Sequence, residues 1–222
     1  MVAAGFPVVA TSSGAVAATL GYEDHHGAPA DEMLAAAARI VRGVDVPVTV
    51  DAEGGYDMEP AELVAALRRL GAAGCNLEDT DHAAGRLRDP DRQAEWLGAV
   101  RRAAAADGYP LVINARVDVF LVPFFSGASA GAQAALVPDA LRRANAYLEA
   151  GADCVYPIAL WEADPLRRFT SEALGPVNAI RLPQAPSPAE LAALGVARVS
   201  WATLLHRQAM AAFEEQLASL RE

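Results

Sequence analysis

Aromatic side chains are scarce in this sequence, 6% of 222 residues, and there are only two cysteines, Cys75 and Cys154. Two thiols inside apolar runs are expected to be small buried hydrophobes in a reducing cytoplasm, not a disulfide framework. Positive charge is also short: Lys and Arg total 18 against 28 Asp and Glu, a net charge of −10. No basic cluster stands out, so nucleic acid and anionic membrane surfaces are not expected partners. Apolar runs are broken by Arg, Asp or Gly well before the length of a bilayer span. Met1-Val2-Ala3-Ala4-Gly5 lacks the charged region and cleavage site of a secretory signal. No linker or low-complexity segment is visible. What is present is a chain 53% hydrophobic and rich in Ala and Leu, which suits one large helix-rich α/β domain over 1–222.

Short apolar strands alternate with amphipathic helices. The pattern predicts strands near 6–11, 47–51, 74–78, 110–115, 153–157, 176–180 and 197–201. Helices are predicted at 30–42, 60–71, 90–106, 138–150, 163–173 and 188–194, with a last one at 202–220. Pro60, Asp89-Pro90, Pro138-Asp139 and Ser187-Pro188 are start signals; Gly71, Gly151, Gly175 and Gly195 are stop signals. Regular β-then-α order means parallel strands with helices outside. Seven units predict a (β/α)8 barrel of the TIM type that lacks its first unit, with a gap or distortion where first and last strands would meet. The final helix carries Leu205, Ala209, Phe213 and Leu217 at steps of four, an apolar stripe for this barrel or for a second copy.

Charge gathers at the strand ends. Val48-Thr49-Val50 runs into Asp51-Ala52-Glu53-Gly54-Gly55-Tyr56, and alternation turns Asp51 and Glu53 the same way. Asn76 and Glu78 are in phase at the end of the next strand; Asn114, Arg116 and Asp118 are in phase on the one after. The C-terminal ends of parallel strands are where α/β proteins keep their active sites. Three carboxylates and an arginine aimed at one place call for a hard divalent cation and an anionic substrate.

At these residues the chain resembles the isocitrate lyase / phosphoenolpyruvate mutase superfamily. Val48 to Tyr56 is similar to the family's Asp-x-Asp-x-Gly-Tyr/Phe metal motif, with Glu53 for the second Asp. Leu77-Glu78-Asp79 resembles Ile-Glu-Asp, and Asn114-Ala115-Arg116-Val117-Asp118 resembles Ala-Arg-Thr-Asp. Thr11-Ser12-Ser13-Gly14 with Ala18 to Asp24 resembles the loop after the second strand, and Gly151-Ala152-Asp153 the lead-in to the sixth. Each motif is weak alone, but five in order are specific. The resemblance implies that Asp51, Glu53 and Glu78 hold Mg²⁺ (or Mn²⁺), directly or through waters. Ser12, Ser13 and Gly14 would bind a substrate carboxylate, Arg116 the same or a second one, and Asp24 would lie beside substrate and metal. It also implies that terminal helices exchange between subunits.

The departures are as informative. The lyases' Lys-Arg-Cys-Gly-His gate is replaced by Thr80-Asp81-His82-Ala83-Ala84-Gly85-Arg86-Leu87-Arg88-Asp89, without the acid/base cysteine, and the Lys and Asn of phosphonate-processing members are missing too. Ile158 follows Pro157 where the lyases have Glu, and Ile180-Arg181-Leu182-Pro183 replaces Asn-x-Thr-Glu. His82, Arg86 and Arg88 are the gate's candidate catalytic residues, and the segment 81–91 is expected to be the most mobile beside the site. His25-His26 is expected to be an ordinary loop pair, because adjacent histidines seldom ligate together. Two functions follow: a Mg²⁺-dependent lyase-type enzyme acting on a small 2-oxo or 2-hydroxy carboxylate through an enolate, or a degenerate member that binds metal and carboxylate without turnover.

Overall fold

β-Branched runs form the strands, and glycines end several of the helices between them. In the computed structural model, which describes residues 1–127 and 131–221, the strands are β1 Val9–Ala10, β2 Val48–Asp51, β3 Gly74–Glu78, β4 Thr80–Asp81, β5 Arg86–Leu87, β6 Val112–Val117, β7 Cys154–Pro157, β8 Asn178–Ile180 and β9 Arg198–Ser200. The helices are α1 Ser13–Leu20, α2 Ala30–Arg42, α3 Pro60–Leu70, α4 Pro90–Ala106, α5 Leu121–Phe125, α6 Ala132–Glu149, α7 Ala163–Glu172, α8 Pro188–Ala193 and α9 Leu204–Ser219. The predicted domain over 1–222 includes 128–130 and 222, which lie outside the described residues.

β1, β2, β3, β6 and β7 lie side by side, parallel and in chain order. β8 and β9 form a further parallel pair, joined to β7 by a bridge between Val155 and Val177. The result is a curled parallel sheet with helices outside. One set of strand residues, among them Val50, Cys75, Leu77, Ile113, Ala115 and Val155, packs against Leu63, Leu67, Leu97, Val100 and Leu166 of the helices. Each fully buried leucine of this layer contributes about 1.5–3 kcal/mol. The alternate set turns inward and carries the polar groups.

Most predicted elements are found where the pattern put them. Capping confirms the starts: Asp89 accepts from the backbone N–H groups of Asp91 and Arg92, and Ser187 forms a capping box with Glu190. One start is corrected. α6 begins at Ala132, not at 138, with Pro138 inside it. Buried Gln133 donates to the Ala159 carbonyl and accepts from the backbones of Trp161 and Glu162. This tertiary anchoring outweighs the hydrogen bond that proline removes. Three elements were not foreseen: α1, α5 and the antiparallel hairpin β4–β5 within the gate segment.

Among the described residues no ladder joins β1 to β9, the seam where a gap was expected. The two edges meet through side chains: Ser12 Oγ lies 2.9 Å from Thr203 Oγ1, and the Phe6 ring stands edge-on to Trp201 with centroids 6.1 Å apart. α9 has no buried residue; Phe213 and Leu217 are 52% and 47% exposed. No helix among the described residues is long and apolar enough to cross a membrane.

Candidate active site

Register decides which side chains meet at the strand ends. Asp51 is level with Asn76, Asn76 with Asn114, and Glu78 with Arg116. The Arg116 guanidinium grips Asp118 with both prongs, Nε to Oδ1 at 2.7 Å and Nη2 to Oδ2 at 2.9 Å, and also meets Glu78. The other oxygen of Glu78 is taken by His82 Nε2. Asp51 accepts the backbone N–H of Ser13 at 3.0 Å, while its own N–H donates to Thr11 Oγ1 at 2.9 Å. α1 is thereby tied by its first turn to β2.

Glu53 sits in the turn after β2 at φ 49°, a strained value for a non-glycine residue. Its carboxylate accepts the His26 backbone N–H at 2.9 Å. Gly54 N–H donates to His26 Nε2 at 3.2 Å, and the same nitrogen lies 3.3 Å from Glu53 Oε2. His25 and His26 are both in the left-handed region, at φ 64° and 61°. Their rings lie 4.9 Å and 5.2 Å from His82, centroid to centroid. Two glycines let site side chains approach the backbone closely: a Cβ on Gly14 would stand 2.6 Å from Asp24 Oδ2, and one on Gly54 would stand 2.9 Å from Arg88 Nη2, so either substitution would push that side chain aside.

The electrostatics follow from burial. Burial pushes the Asp51 carboxyl up, Arg116 draws it back down, and Glu78 pushes it up again. Glu53 is pushed up to about 7 by burial and by Glu78. Glu78 is also penalised by burial, but Arg116 and His82 more than offset this and hold it below the ordinary value. His82 is raised by its hydrogen bond to Glu78, whereas burial and His82 lower His26.

No three His, Cys, Asp or Glu side chains among the described residues are arranged to hold a metal ion. Asp51, Glu53 and Glu78, expected to hold a cation directly or through waters, are thus not gathered as a direct cage in this side-chain arrangement. Glu78 is turned toward Arg116 and His82, and Glu53 toward His26. A hydrated cation does fit the donor set. Asp51 Oδ1 and Asp24 Oδ1 are both buried without a hydrogen-bond partner among the described residues. Orphaned carboxylate oxygens suit a small hard cation that keeps several waters, which the remaining carboxylates can accept.

The gate residues fall in three places. His82 reaches the site. Arg88 is half-buried beside the turn after β2, where it donates to the Gly54 carbonyl at 3.2 Å and to Gln93 Oε1 at 3.4 Å, both neutral. Arg86 is exposed at the hairpin and makes none of these contacts. Ser13 meets Asp51 through its backbone, and Ser12 meets Thr203 through its hydroxyl.

Sequence reasoning missed the support beneath. Asp79 is fully buried and accepts the backbone N–H of Asp118 at 2.9 Å, Tyr147 O–H at 2.7 Å and Arg143 Nη1 at 3.1 Å. Arg143 also donates to the Arg88 carbonyl at 2.9 Å. Burial and Asp118 push the Asp79 carboxyl up to about 6. The available signal was Asp79 being out of phase with Glu78, which turns a carboxylate toward the helices.

A family model described as phosphoenolpyruvate phosphomutase matches residues 1–221. An uncharacterized protein of Mycobacterium tuberculosis is 32% identical over 198 residues, covering 89% of this chain and 70% of its own. The 2-methylisocitrate lyase of Salmonella typhimurium is 32% identical over 185 residues, covering 79% of this chain and 59% of that one. The chain thus spans little more than half of that lyase. A Burkholderia cenocepacia J2315 structure provisionally named a phosphonomutase superposes with TM-score 0.88 at 40% identity, covering 99% of this chain and 86% of that one. Oxaloacetate acetylhydrolase bound to oxalate superposes with TM-score 0.83 at 21% identity, a likeness of fold alone.

Proposed function

This chain belongs to the isocitrate lyase / phosphoenolpyruvate mutase superfamily, and on that footing we propose that it is a Mg²⁺-dependent lyase- or mutase-type enzyme acting on a small 2-oxo or 2-hydroxy carboxylate through an enolate. The observation that carries the reading is the pair of buried, unpartnered oxygens on Asp51 and Asp24, set beside Glu53, Glu78 and Arg116 at the strand ends. Matched relatives are named as lyases and phosphonomutases, which supports the reaction class.

Asp51 and Asp24 would hold the cation, with Glu53 and Glu78 accepting its waters; Mn²⁺ can replace Mg²⁺. When bound, the cation supplies charge stabilisation for the two oxygens of a 2-oxo acid or its enolate. Ser12, Ser13 and Gly14 form the start of α1; with the Ser13 N–H held by Asp51 and the Ser12 hydroxyl shared with Thr203, the Gly14 N–H at this helix start would be the group that meets a substrate carboxylate. Arg116 is locked by Asp118, so it offers a fixed positive edge to the ligand. His82, oriented by Glu78, holds a proton at Nε2 and is our candidate for the acid/base role that the lyases give to cysteine. Arg88 braces the turn that carries Glu53.

Two coarser readings accompany this one. The curled sheet is proposed to be a TIM-type barrel spanning one domain, with the family's opening unit as the one not matched by a strand here. The exposed face of α9 is proposed to pack on a second copy of the chain, giving a homo-oligomer.

Calorimetry with Mg²⁺ and oxalate tests the site; oxaloacetate, methylisocitrate-like acids and phosphonopyruvate with and without EDTA test the reaction. Metal-dependent binding and turnover are expected. Binding without turnover on any of them would leave the degenerate reading, and absence of both in folded protein would remove the proposal.

A further inference from the structure

Inside the curl of the sheet, β7, the strand next to Arg116, carries a phenol. Tyr156 is 3% exposed and level with Arg116 in the β6–β7 ladder. Its neighbour Val155 faces the helices within the main core, so Tyr156 faces inward, where it packs with Ile180 and Leu182 in a separate apolar cluster.

The hydroxyl stands at the end of a directed chain. Asn178 Nδ2 donates to Ser200 Oγ at 3.4 Å, and Ser200 Oγ donates to the Tyr156 oxygen at 3.2 Å. Each bond polarises the next, which strengthens the last donor. Among the described residues that last donor, the Tyr156 O–H, has no acceptor. A buried tyrosine usually finds one. Asn178 is completely buried and its Oδ1 has no partner among the described residues, so the one side-chain bond its amide makes there is the one to Ser200.

We infer that Tyr156 is a catalytic hydrogen-bond donor, placed to receive the anionic oxygen of the bound 2-oxo acid or enolate, with Ser200 and Asn178 orienting it. The inference rests on the active-site reading given above. The charges that act on the phenol are Arg116 and Asp51 of the site, together with Arg198 of β9. Burial is the largest influence on it and raises its pKa to about 12, so the proton stays on the oxygen at neutral pH and is there to be donated. The apolar packing of Phe124, Ile158 and Trp161 on this cluster keeps water away. A donor fixed in dry surroundings is worth most where negative charge develops. No proton leaves the tyrosine: the phenol stabilises charge, and His82 remains the group that exchanges protons.

The test uses Mg²⁺-oxalate, since oxalate is a planar dianion resembling the enolate of a 2-oxo acid. Tyr156→Phe removes one oxygen and keeps the ring. Its response to Mg²⁺ alone should match the unmodified protein, while oxalate affinity in saturating Mg²⁺ should fall about tenfold or more. In protein labelled with [ζ-¹³C]tyrosine, the Tyr156 resonance should shift on adding Mg²⁺-oxalate. Ser200→Ala breaks the internal bond but not the ligand contact, so it should weaken oxalate less than Tyr156→Phe and preserve the shift. Unchanged oxalate affinity in Tyr156→Phe, or a resonance indifferent to oxalate, would overturn the inference while leaving the metal site intact. If Tyr156→Phe does not fold, the resonance, assigned by its displacement in Ser200→Ala, decides alone. If the unmodified protein binds no oxalate with Mg²⁺, the active-site reading falls and this inference with it.

Discussion

Asp51 is a carboxylate with one oxygen on a backbone N–H and the other buried without a partner among the described residues. Removing it costs a ligand but also relieves a desolvated charge crowded by Glu78. Asp51→Ala is therefore expected to keep its fold, with a melting temperature equal to or above that of the metal-free protein, and to lose the rise that Mg²⁺ produces. Unchanged Mg²⁺ affinity in this variant would remove the metal assignment. Glu53 adds a pH dependence. Its folded-state carboxyl is pushed up to about 7, above the value in an unfolded chain, so its contribution to stability is present in acid and lost as pH rises through about 7. A cation cancels that loss. The Mg²⁺-induced rise in melting temperature should accordingly be larger at pH 8 than at pH 6, and a rise independent of pH would take Glu53 out of the site. His82→Gln keeps a side chain able to bond Glu78 but not one that titrates. It should retain Mg²⁺-oxalate affinity and lose turnover by about a hundredfold or more.

The gate and the helix beneath it act together at the level of elements. Arg143 of α6 bonds both Asp79, which seats Asp118 and hence Arg116, and the carbonyl of Arg88, at the exit of the hairpin. Arg143→Met would leave Asp79 buried and poorly paired, at a cost of about 3–5 kcal/mol. Denaturant unfolding should show that loss, and amide exchange should quicken selectively over β4 and β5. Uniform exchange across the chain would show that the hairpin does not depend on α6. In the unmodified protein, the same hairpin should gain protection when Mg²⁺-oxalate binds. How much of this was legible follows from where the information lies. Asp51, Glu53, Glu78 and Arg116 could be found because strand alternation is local, and Asp89-Pro90 and Ser187-Pro188 mark their helices because capping is local. The Asp79–Arg143 pair spans 64 residues, and no periodicity reports it. The true start of α6 was hidden because Gln133 is anchored by residues beyond Pro157. His25 and His26 were passed over because only the folded turn, at positive φ, brings their rings to His82.

For the whole molecule, the exposed stripe on α9 predicts association. Phe213→Glu with Leu217→Glu should shift the sedimenting species to a monomer without disturbing Mg²⁺ binding; a monomer before substitution would refute that use of the helix. The seam between β1 and β9 has a different consequence. Every other neighbouring pair around the sheet shares a ladder or a bridge, whereas this one is held by a hydroxyl pair and two aromatic rings. Ser12 and Thr203, which close it, stand beside Gly14 and Asp24. Warming should therefore part the molecule along one line first and carry the carboxylate loop away with it. Trp201 emission and oxalate affinity should be lost together, several degrees before the circular dichroism of the core. The temperature at which this protein stops working is then set by its weakest edge, not by the packing of its interior.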